Sequence, residues 1–216
     1  MKAIVRIILL VSFLPYVLLN FRAFGFLGGL GANPVEAIIH DTGIWGIRFL
    51  VLTLTLTPLY HYSKQEVLRK LPKPIGLVAF FYVLNHFLCY AIIDQAGDLG
   101  VIVIDIIETP YLIVGWAGFL CLFAVGLASF NSFQEWFNKN RSTISGLVYS
   151  AAVLGVWHFY WQEKVISYEA VFHSVLMTLL IVWRLRISTG KSPSCCLLYT
   201  SPSPRDLSTS RMPSSA

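Results

Sequence analysis

Six stretches of this chain are apolar over about the length that a helix needs to cross a bilayer, since about 30 Å of hydrocarbon at about 1.5 Å per residue takes about 20 residues. They run from Ala3 to Leu19, Ile44 to Leu59, Ile75 to Ile93, Tyr111 to Phe130, Ile144 to Trp161 and Tyr168 to Ile187. Apolar residues make up 56% of the 216 and charged residues 12%, and a water-soluble domain of this size has too little interior to hide so much apolar surface. The expected fold class is therefore all-α, an integral membrane bundle of six transmembrane helices, because backbone in lipid must satisfy its own hydrogen bonds. The second run alternates Thr53, Thr55 and Thr57 with leucine, as a strand would. It reads as helix, because a lone strand in lipid stays unpaired while helical threonine hydroxyls bond carbonyls one turn back.

Basic residues gather in four clusters: Lys2 and Arg6; Lys64, Arg69, Lys70 and Lys73; Lys139 and Arg141; Arg184, Arg186 and Lys191. With six spans all four fall on one side, which the positive-inside rule makes cytoplasmic, together with both termini. Glu36, Asp41, Asp94, Asp98, Asp105 and Glu108 fall on the other. Such scattered clusters orient spans and make no nucleic-acid footprint, so the lipid bilayer is the expected surrounding and nucleic acid is not a partner. The first run resembles a signal peptide, but Ala23 and Gly25 are the only small residues in the right relation and Arg22 and Phe24 surround them; it reads as a retained span. Leu99 to Ile107 is apolar but too short to cross, and is expected as an interfacial helix on the outer surface.

The membrane domain is expected over 1–187. From Ser188 to the end, nine serines and four prolines leave nothing to build a core, so 188–216 reads as a disordered tail. Its end resembles the translation of sequencing-adapter DNA, which would make it non-native. Cys89 and Cys121 lie in apolar runs, Cys195 and Cys196 are adjacent in the tail, and no Cys-x-x-Cys pair occurs. That pattern excludes a zinc knuckle or a thioredoxin-like site.

Of five histidines, His86 lies 11 residues into the third run and His158 14 into the fifth, level within one turn. An ionisable side chain at that depth is a functional-site candidate. Three readings fit: two axial ligands of a six-coordinate haem iron, interhelical hydrogen bonding, or a proton or metal relay. For a porphyrin, Gly155 gives room one turn before His158, and Phe80, Phe81, Phe87, Trp157, Phe159 and Tyr160 can supply walls. His61 sits at the basic inner end of span two, His40 in the outer loop, and His173 reads as a packing residue. The clustered histidines of a diiron hydroxylase and the His-Glu-x-x-His of a zinc protease do not occur.

Several stretches together carry a family resemblance: Gly31 to Gly43, the Leu-Thr-Leu-Thr-Pro-Leu ending at Leu59, Gly76 to His86, Pro110 to Gly115, and Leu147 to Trp161. In order and spacing they resemble the MsrQ family of haem-binding membrane subunits, in the ferric-reductase-like transmembrane group. The resemblance implies six helices in a bacterial inner membrane, haem b with FMN as a further candidate cofactor, and His86 and His158 as haem-iron ligands. It implies an electron-transfer subunit with no catalytic site for the sulfoxide on this chain. Electrons would come from quinol or a cytosolic flavin reductase and go to a periplasmic molybdopterin subunit, MsrP, that repairs oxidised methionine. One departure stands out. The family has a further histidine 13 residues before the one matching His158, and here that position is Ser145. A sequencing error, replacement by His61, and a single-haem variant are all open. The competing function is a small transporter or channel with His86 and His158 as a proton relay.

Overall fold

The structure, a computed structural model, describes residues 2–129, 139–163 and 167–189. Among these the chain is helical, with no strand. The first span is two helices, α1 (Lys2–Ser12) and α2 (Leu14–Ala23), broken where Pro15 removes an N–H from the ladder. The second, α3, is Pro34–Ser63. It begins ten residues before the apolar run, because Asn33 caps it, accepting from the Glu36 N–H at 3.4 Å, and Pro34 fills its first turn. Its threonines behave as expected: Thr53 and Thr55 each bond the carbonyl one turn back at 2.8 Å. A short α4 (Glu66–Lys70) leads into α5 (Pro72–Leu88), whose end widens into a π-helical turn, Cys89–Asp94. Next comes α6 (Leu99–Glu108), the expected short apolar helix, capped by Asp98. Then follow α7 (Pro110–Ala128), α8 (Arg141–Gln162) and α9 (Tyr168–Thr189).

Among the described residues, five segments are long and apolar enough to cross a membrane: Ala3–Ala23, Pro34–Ser63, Pro72–Asp94, Pro110–Ala128 and Tyr168–Ile187. The fifth expected span, α8, has 22 residues but carries Ser145, Ser150, His158 and a Tyr-Trp-Gln end, which lower its hydropathy. It packs within the bundle all the same, with Ala151, Ala152, Val156 and Phe159 buried in the common core. Large apolar side chains such as Leu10, Phe24, Phe172 and Leu179 cover the perimeter. Water would not tolerate that surface and lipid does, so the molecule is a multi-pass helical membrane bundle. The end of the fourth predicted span, Phe130, and the tail from residue 190 on lie outside the described residues.

Two antiparallel pairs organise the centre. In the first, Gly46 of α3 faces Val83 of α5, and Thr53 faces Gly76 nearer the other end. In the second, Gly115 of α7 faces His158 of α8, Gly118 faces Leu154, and Val125 and Ala128 pack with Ile144.

Candidate functional site

His86 projects from α5 toward α3, and its Nδ1 lies 2.8 Å from the Ile39 carbonyl. His158 projects from α8 toward α7, with Nδ1 2.8 Å from the Tyr111 carbonyl. A carbonyl only accepts, so each Nδ1 carries the hydrogen and each Nε2 is the lone-pair nitrogen of the neutral ring. Both rings line one cavity of about 360 Å³.

The ring centroids are 6.2 Å apart and the planes meet at 79°. With about 2.0 Å from a metal to each imidazole nitrogen and about 1.1 Å from nitrogen to ring centre, two imidazoles on opposite sides of one ion would stand about 6 Å apart. The separation is thus that of a bis-imidazole clamp, and the bonded Nδ1 atoms are the outer-shell partners such ligands need. Each ring's bond to a carbonyl of the facing helix is also the interhelical hydrogen bonding expected of such a histidine, and it leaves each Nε2 without a part in it.

The cavity wall departs from expectation. Of the six aromatics proposed, only Phe87 and Phe159, each directly after its histidine, line it. Phe81 packs on Phe13 and Tyr16, Phe80 lines a separate small crevice, Trp157 stacks on Trp161, and Tyr160 is largely exposed. The other aromatic walls are Tyr90, Tyr111, Trp116 and Phe119, with Phe87, Trp116 and Phe119 in mutual contact at centroid distances of 4.8 to 5.4 Å. Gly155 lines the cavity with no atom within 4 Å of a Cβ placed on it, the room expected of it. The mouth is polar, with Glu36, His40, Asp94, Asp105 and Gln162, and Tyr90 donates to Asp105 at 2.6 Å.

Of the remaining histidines, His40 shares the cavity of the pair, while His61 and His173 stay apart from it. His173 is buried, its Nδ1 2.7 Å from the Glu169 carbonyl, and packs edge-on to Phe159, as a packing residue should. His61 stands between Tyr62 and Trp183. His40 lies within α3 and not in a loop, 3.6 Å from Glu163 at the cavity mouth. Ser145 accepts a hydrogen bond from Arg184 at 3.3 Å. Among the described residues no three of His, Cys, Asp and Glu gather into a metal cluster.

One signal in the sequence could have located the helix partners of the two histidines. From Ile39 to Tyr111, Gly43 to Gly115, Gly46 to Gly118 and His86 to His158 the step along the chain is the same. In both halves the bonded carbonyl lies 47 residues before its histidine. A single step of 72 residues thus places the histidine, its carbonyl and the two glycines equivalently in the two hairpins.

Comparison with known proteins bears on the same region. Residues 42–157 match the family model described as ferric reductase like transmembrane component. A protein-methionine-sulfoxide reductase heme-binding subunit MsrQ from Xanthomonas oryzae pv. oryzae (strain MAFF 311018) is 35% identical over 155 residues, 72% of this chain and 71% of that protein. The protein of the same name from Agrobacterium fabrum (strain C58 / ATCC 33970) is 38% identical over 158 residues, 73% of each chain. Its counterpart from Polaromonas naphthalenivorans (strain CJ2) is 34% identical over 182 residues, 83% of this chain and 82% of that one.

Proposed function

This chain belongs to the ferric-reductase-like transmembrane family, among the MsrQ haem-binding subunits, and from that premise we propose that it is a single-haem electron-transfer subunit. In this reading His86 and His158 hold the iron of haem b, and electrons pass from quinol to a periplasmic molybdopterin reductase of oxidised methionine, MsrP. The observation that carries it is the 6.2 Å separation of two rings whose Nδ1 atoms are already committed to carbonyls. Bound there, haem b supplies a one-electron centre whose iron cycles between ferric and ferrous states. The chain's own work is to hold both Nε2 atoms toward one point, to line the cavity with apolar rings, and to keep the inner half of the bundle closed. FMN is not required by this reading, and flavin content is measurable in the same preparation.

Quinol is favoured over a cytosolic flavin reductase by where the histidines stand. His86 bonds a carbonyl in the first turns of α3, and His158 lies within the last turns of α8, both at the end carrying Glu36, Asp94 and Asp105. The basic residues Lys64, Arg69, Lys70, Lys73 and Arg184 gather at the other end, where Trp183 donates to Tyr62. By the positive-inside rule that end is cytoplasmic, which supports an inner-membrane protein with both termini inside. A cytosolic donor would face the whole inner half of the bundle, where Ser145 replaces the family's histidine. A lipid-soluble quinol reaches the outer half from the bilayer.

The test is the absorption spectrum of the purified protein made with ample haem. A reduced Soret band with sharp visible bands is expected, lost or converted to a high-spin form in His86→Ala and in His158→Ala and retained in His61→Ala. A colourless protein would favour the proton-relay alternative, and an unchanged spectrum in the double variant would rule out this ligand pair.

A further inference from the structure

Each imidazole of the pair is wedged between a carbonyl and a glycine of the facing helix. A Cβ on Gly43 would stand 2.9 Å from His86 Nδ1 and 3.1 Å from its Cε1. One on Gly115 would stand 2.7 Å from His158 Nδ1, 2.8 Å from Cε1 and 3.0 Å from Cγ. Ordinary heavy-atom contacts begin at about 3.5 Å, so any side chain at either position must push the ring away. The ring cannot yield freely, because its Nδ1 is held at 2.8 Å by the carbonyl one turn earlier on the same facing helix.

Neither glycine is needed for its backbone. Both lie inside helices, and neither is among the glycines with positive φ, which are Gly25, Gly28, Gly29, Gly31 and Gly97. Glycine inside a helix is destabilising relative to alanine, and here that cost recurs at equivalent places in both hairpins. Their neighbours serve as an internal comparison. Gly46 and Gly118, one turn further on, are also tight, a Cβ standing 2.8 Å from Val83 Cγ2 and 3.2 Å from Leu154 Cβ, but the atoms nearest them belong to no imidazole.

We infer that Gly43 and Gly115 are positioning residues that set the planes of the two imidazoles, holding them near perpendicular across the iron site. The inference rests on the haem reading above. It extends that reading from which residues bind to what fixes their orientation. The angle between axial imidazole planes governs the anisotropy of a ferric low-spin haem. Near-perpendicular planes give a strongly anisotropic signal with a large maximum g value, and parallel planes give an ordinary rhombic one.

The experiment is electron paramagnetic resonance of the oxidised, haem-loaded protein, with the rate of haem loss to apomyoglobin measured beside it. The wild type is expected to show the large-g signal. Gly43→Ala and Gly115→Ala should each shift it toward the rhombic type or convert it to high spin. Each should also weaken haem retention about 10- to 100-fold, the range over which outer-shell partners of metal-bound histidine act. Gly46→Ala, as tight but outside the cavity lining, should leave the signal in place. A wild type with no low-spin haem refutes the haem reading and this inference with it. A rhombic wild-type signal, or a large-g signal that both alanine variants keep, overturns the inference and leaves the haem reading standing. Failure of both variants to accumulate as folded protein, while Gly46→Ala accumulates, would assign the glycines to helix packing and overturn it as well.

Discussion

The Tyr82 hydroxyl shows how one atom can complete a span. In α1 and α2 the ladder breaks around Pro15, and the bond that would join the Tyr16 N–H to the Ser12 carbonyl is not made. Tyr82 stands in for it: the Tyr16 N–H donates to its hydroxyl at 3.1 Å, and the hydroxyl donates to the Ser12 carbonyl at 3.0 Å. The ring is fully buried, against Phe49, Phe81 and Tyr16, so it packs independently of the hydroxyl. Tyr82→Phe should therefore keep the packing and strand one donor and one acceptor where no water can reach them, at about 1–3 kcal/mol for each group. The expected outcome is a lower melting temperature in detergent, with the segment around Ser12 and Tyr16 exchanging its amide hydrogens first. An unchanged exchange pattern there would show that the span does not depend on this bridge.

At the scale of elements, α9 is tied to α3 by an ion pair within the bundle. Arg48 donates to Glu169 Oε1 from Nε at 3.0 Å and from Nη2 at 2.7 Å, with its guanidinium 4.5 Å over the Trp45 ring. A charge in a span is costly unless matched, so Arg48→Leu or Glu169→Leu alone should destabilise the bundle more than the two together. Thermal unfolding of the three variants in one detergent reads that coupling; strictly additive losses would mean the pair does not hold α9. Apolar run length made the helices legible in the sequence, as did the threonine back-bonds and the short α6. It missed two features for physical reasons. A count of apolar residues cannot see the break at Pro15, since Leu14, Tyr16 and Val17 continue the run. The first turns of α3 hold Glu36, His40 and Asp41, polar enough to hide the helix, although Asn33-Pro34 followed by Glu36 is a start signal that could have revealed it.

Among the described residues, the α3–α5 and α7–α8 hairpins form the centre, α1, α2 and α9 pack beside them, and equivalent positions of the two hairpins are 72 residues apart. Depth alone pointed to His86 and His158. It did not show the carbonyls, the glycines or most of the cavity wall, because those depend on which helices pair. Carried through the 72-residue step, the position of Ser145 in α8 corresponds to Lys73 in α5, so neither hairpin offers an imidazole there. Ser145 is instead bonded to Arg184, whose guanidinium also lies 5.7 Å over the Tyr149 ring. The cavity between the hairpins has one histidine from each, and the position held by Lys73 and Ser145 has none from either. Ser145→His would restore the family's residue on one side only, beside the Arg184 guanidinium. It is therefore expected to leave haem per polypeptide and the reduced spectrum unchanged, and the fold should tolerate it at small cost because Ser145 is only partly buried. Haem and protein assays before and after the substitution make the measurement. The appearance of a second low-spin haem would show that a ligand from elsewhere, such as His61, completes an inner site. Ser145 would then be a lesion in an otherwise two-haem path.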